Sequence, residues 1–69
     1  MKTKLIAYFE QQESYLGRIS DPYEKLNILH NCFGALSFAM SLVDDWDAEA
    51  EYINLWGEWC PRLEAQIYG

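Results

Sequence analysis

Between Leu26 and Val43 the chain carries no charged residue, and Leu26, Leu29, Phe33, Leu36, Met40 and Val43 recur at spacings of 3, 4, 3, 4 and 3. That is the heptad seam of an α-helix. A second stripe, Ile28, Cys32, Ala35, Ala39 and Leu42, runs beside it. Only Asn27, His30, Asn31, Gly34, Ser37 and Ser41 dilute the apolar surface, so this helix belongs in the middle of the molecule. Its start is marked by Asp21-Pro22-Tyr23-Glu24: Asp21 is suited to cap, Pro22 to the first helical position, and Glu24, three residues after the cap, completes an Asp version of the capping box, with the acids favourably placed for the dipole. The pattern predicts a helix over 21–43.

Two further helices follow from the same reasoning. Leu5, Phe9, Leu16 and Ile19 form one stripe, with Tyr8 and Tyr15 beside it and polar Gln12 within it, which predicts a helix over 3–16. Gly17 is placed for the left-handed residue that commonly follows a helix end. Ile53, Trp56, Cys60, Leu63 and Ile67 repeat the heptad spacing, widened by Tyr52, Leu55 and Trp59, which predicts a helix over 47–67. Pro61 falls inside that pattern. It has no N–H and its ring crowds the carbonyl of Gly57, so a kink or short break is expected near Cys60. Both connections are short, so consecutive helices run antiparallel. The expectation is all-α: a compact antiparallel three-helix bundle, one helical domain over 1–69.

Composition narrows the function. With 69 residues the chain is near the size at which one core barely offsets chain entropy. Three tryptophans, five tyrosines and three phenylalanines supply large buried areas that help it. A net charge of −6 argues against gripping a nucleic-acid backbone or an anionic membrane. The uncharged run from Leu26 to Val43 is long enough for a membrane span, but its five polar interruptions argue against one. MKTKLIAYFEQQ turns polar before an export-signal core develops, so a cytoplasmic protein with reduced Cys32 and Cys60 is expected.

Chemical sites are thinly supported. A Cys-Pro pair such as Cys60-Pro61 can ligate haem, but a dipeptide arises often by chance, and a reactive thiol needs positive surroundings where only Arg62 is close. Cys60 lies on the heptad stripe between Trp56 and Leu63, so both thiols read as buried packing groups. His30 and Cys32 project about 200° apart on a helix and cannot share an ion. No glycine-rich phosphate loop or nucleophile–base pattern is present. The expectation is a non-enzyme, with no catalytic residue, no cofactor and no metal.

Two readings remain. One is a small acidic interaction module, a homodimeric regulator or adaptor. Its dimer interface would use the small neutral strip of the second helix: Asn31, Gly34, Ser37, Phe38 and Ser41. Its protein partner would have a basic surface, facing Asp44, Asp45, Asp47, Glu49 and Glu51. From Asp44 to Glu58 there are six acids and no base. Most of these also fit a plain helix start, where the dipole favours each by about 0.3–1 kcal/mol. The alternative is an inhibitor of a nucleic-acid-handling enzyme, of the kind phages and mobile elements encode, that works through that acidic face.

Overall fold

The computed structural model describes residues 2–68; Met1 and Gly69, the two ends of the expected domain, lie outside the described residues. Three helices occupy almost all of it: α1 (Lys2–Leu16), α2 (Pro22–Ser41) and α3 (Trp46–Tyr68). Every pair of helices is in contact, and no strand occurs among the described residues. The long axis measures 39 Å against 17 and 16 Å across, so the helices lie side by side.

Cross-helix pairs fix the directions. Lys2 meets Glu51 and Glu13 meets Arg62, each pair 49 residues apart, so α1 and α3 run parallel in one register. Lys25 meets Gln66 while Phe33 meets Trp56, so numbers rise on α2 as they fall on α3. The topology is up-down-up, as expected.

The start of α2 keeps the expected cap and proline, but Asp21 bonds the amide two residues on and not that of Glu24, as a capping box would. Asp21 is extended (φ −71°, ψ 117°), its Oδ1 accepts from the Tyr23 amide at 3.0 Å, and Pro22 opens the helix. The helix ends two residues before the expected Val43. The Leu42 and Val43 amides donate to the carbonyls of Ala39 and Met40, three residues back, at 3.2 and 3.3 Å. This tighter winding closes the last turn. The end of α1 differs from expectation too: Gly17 is not left-handed. The Arg18 amide bonds the Tyr15 carbonyl at 2.9 Å, so a tight turn serves in place of a glycine cap. Through Pro61, α3 continues without a break.

The core corrects the expected seams by a rotation. On α3 the buried residues are Tyr52, Leu55, Trp59 and Leu63, while Ile53 is 55% exposed and Trp56 and Cys60 are half-buried. The inward face is therefore turned by about 75° from the heptad stripe, with Leu63 common to both. On α2 it is mainly the second stripe that faces inward: Ile28, Cys32 and Ala39 are buried together with Leu36, whereas Phe33 of the heptad seam is 53% exposed. Small side chains at the centre of α2 leave room for rings from the other two helices. Phe9 of α1, fully buried, has its ring centroid 5.7 Å from both Trp56 and Trp59. Tilted aromatic pairs at this separation add about 0.5–1.5 kcal/mol each beyond area burial.

Candidate functional site

The rotation decides which side chains face outward, and three outer surfaces result. The first is the acidic turn into α3. Asp45 is its cap: Oδ1 accepts from the Asp47 amide at 3.1 Å and its carbonyl accepts from Glu49 at 3.0 Å. Asp47 and Glu49 sit in the first turn, where the helix dipole favours them. Glu51 lies 4.0 Å from Lys2. Asp44 is exposed. Asp45 and Glu51 thus each have a partner within the chain.

The second surface is the back of α2. Asn31, Gly34, Ser37, Phe38 and Ser41 are all exposed, as the sequence leads one to expect. Ser41 turns its hydroxyl onto the Phe38 carbonyl at 2.6 Å, which removes that donor from the surface. Phe38 is 63% exposed and Leu42, four residues on, 55%. A Cβ placed on Gly34 would meet nothing within 4 Å, so the backbone here is open to close approach.

The third surface was not foreseen. Phe33 and Trp56 pack edge to face across α2 and α3 with centroids 5.8 Å apart, both with area left to solvent. Ile53, one turn before Trp56 on the same flank, is exposed. Part of each heptad seam therefore borders the outside of the α2–α3 junction, while Leu36 and Leu63 of the same seams stay in the core. The available signal was the doubling of apolar stripes on the second helix, more than one core can use.

The thiols divide in the same way. Cys32 is fully buried, and burial pushes its pKa up to about 11. Cys60 does not lie on the buried stripe, as its spacing suggested. It is half-buried, its Sγ donating to Glu64 Oε1 at 3.2 Å. Desolvation raises its pKa, and the hydrogen bond to and charge of Glu64 add to that. His30 is exposed where Cys32 is buried, which is the divergence the helix imposes.

Among the described residues, no group of three His, Cys, Asp or Glu side chains is placed to hold a metal ion, and no helix is long and apolar enough to cross a membrane. A shallow hollow between α1 and α2, lined by Tyr15, Glu24, Asn27 and Ile28, is open to solvent. The chain matches no protein-family model, no curated protein and no solved structure.

Proposed function

We propose that this chain is a non-catalytic protein–protein interaction module that pairs with a second copy through the back of α2 and acts in the cytoplasm with both thiols reduced. One observation carries the self-association. On a chain of net charge −6, the exposed face of α2 from Asn27 to Leu42 holds no charged residue, while Phe38 and Leu42 stand more than half in solvent. Ordinary exposed helix faces carry Lys and Glu. A neutral face is where two like-charged chains approach without repulsion, and Gly34 lets the two backbones come close. Closed two-fold pairing is the commonest way for such a surface to be covered.

The inhibitor reading has no observation of its own. Asp45 caps α3 and Glu51 pairs with Lys2, so the acid density reads first as helix-start chemistry.

Light scattering behind size exclusion tests the pairing: the expected mass is twice 8.1 kDa at micromolar concentration. Gly34→Glu is the decisive variant, because its side chain meets open space within one protomer. It should give a folded monomer. A wild-type mass that stays at 8.1 kDa as the sample is concentrated overturns the reading.

A further inference from the structure

The α2–α3 junction says more about the partner than the back of α2 does. On α3, Trp46, Ile53, Trp56 and Cys60 recur at spacings of 7, 3 and 4, so they share one flank. It is the flank turned toward α2, because Trp56 meets Phe33 there. Glu51 and Arg62 lie on the opposite flank and reach α1. Leu29, Phe33 and Met40 form the matching flank of α2. Trp46 is 83% exposed, Ile53 55% and Phe33 53%; Leu29, Met40 and Trp56 are half-buried against the core, and Cys60 is half-buried. Two antiparallel helices with apolar outer flanks at heptad spacing offer the seat that a fourth helix takes in a bundle.

Charge says which helix. Glu49 lies four residues before Ile53, and Glu64 is held beside Cys60 by the thiol's hydrogen bond, so acids edge the seam. The nearby bases are committed elsewhere. Arg62 and Lys2 pair with Glu13 and Glu51 on the α1 side, and Lys25 Nζ donates to the Gln66 carbonyl at the far end. A second copy laid here would bring acid against acid, each chain carrying −6. A helix with an apolar stripe and Lys or Arg beside it meets both the rings and the carboxylates.

We propose that the seam formed by Phe33, Met40, Ile53, Trp56 and Cys60 is the seat of a cationic amphipathic helix from a partner protein. This rests on the reading of the chain as an interaction module and names the chemistry of its partner.

The test uses the full chain and two fluorescein-labelled synthetic helices of about five turns. Both carry Leu at heptad core positions, one with Lys and the other with Glu elsewhere, and anisotropy reports binding. The Lys peptide should bind at micromolar concentration and the Glu peptide should not. Ile53→Ser and Phe33→Ser should each weaken binding by about tenfold, with circular dichroism confirming that both variants stay folded. Glu49→Gln combined with Glu64→Gln should flatten the salt dependence. Phe38→Glu, on the back of α2, should be monomeric and keep its peptide affinity, so loss of pairing and loss of the peptide are read separately. The proposal is overturned by any of three results: no binding of the Lys peptide, equal binding of both peptides, or an affinity indifferent to Ile53 and Phe33. A fourth is a wild-type dimer that Ile53→Ser splits, since a second copy would then own the seam.

Discussion

Arg62 of α3 holds Glu13 of α1 with two hydrogen bonds, Nη2 to Oε1 at 2.8 Å and Nε to Oε2 at 3.1 Å. The same guanidinium stands 4.0 Å over the ring of Trp59, a core residue. A planar fork stacked on an aromatic face loses little freedom on pairing, so this bridge should sit at the upper end of the ordinary surface range. Arg62→Ala is expected to cost about 1–2 kcal/mol, combining the cation–π contact with the pair. Arg62→Lys should recover only part of it. A double-mutant cycle with Glu13→Gln, read by urea unfolding, should show a coupling of about 0.5–1 kcal/mol. A coupling near zero would mean that the bridge holds no weight in solution.

The two thiols should separate in a titration with a coloured disulfide reagent. Cys60 is half-buried at the surface and should react in the folded protein, more slowly than a free thiol because its pKa is raised. Cys32 should react only as the chain unfolds, at a rate that follows denaturant. Two equally fast thiols would contradict the packing of α2.

Alkaline pH should weaken the fold through Cys32. Its thiol holds a proton to about 11 when folded, against 9.0 when unrestrained. Between those values the unfolded chain binds fewer protons, so stability falls as pH rises, by up to about 1.4 kcal/mol per pH unit. Below that window the contribution is constant. Urea midpoints at about pH 8 and about pH 10.5 should differ less in Cys32→Ala than in the wild type. Equal slopes in the two proteins would show that the buried thiol is not responsible.

Gly57 lies inside α3, four residues before Pro61, and a Cβ there would meet nothing within 4 Å. Gly57→Ala should therefore raise thermal stability, by up to about 1 kcal/mol from helix propensity. A loss in its place would mean that the glycine relieves crowding imposed by the Pro61 ring, the role its spacing suggests.

Local signals were legible in the sequence, and the rotation of each helix was not. Asp21-Pro22 marks the start of α2 because capping needs only residues adjacent in the chain. On α3, Tyr52-Leu55-Trp59-Leu63 and Ile53-Trp56-Cys60-Leu63-Ile67 are both apolar stripes at helical spacing that share Leu63, and periodicity cannot choose between them. The choice is made across the bundle. Phe9 fits against Trp59, and Arg62 must reach Glu13, which turns Ile53 outward. Asn31, Gly34, Ser37, Phe38 and Ser41 were legible as an outer strip because they are the least apolar positions on a helix otherwise rich in large side chains. The α2–α3 seam was hidden because its residues look like core.

Intermolecular contacts in a mixed sample, one half isotopically labelled and the other not, test most directly which face of α2 joins two copies. Filtered nuclear Overhauser spectra should connect the Phe38 ring of one chain to Gly34 and Ser41 of the other, with Ile53 and Phe33 silent between chains. Intermolecular signals confined to Ile53 and Phe33, or none at concentrations well above micromolar, would contradict the account.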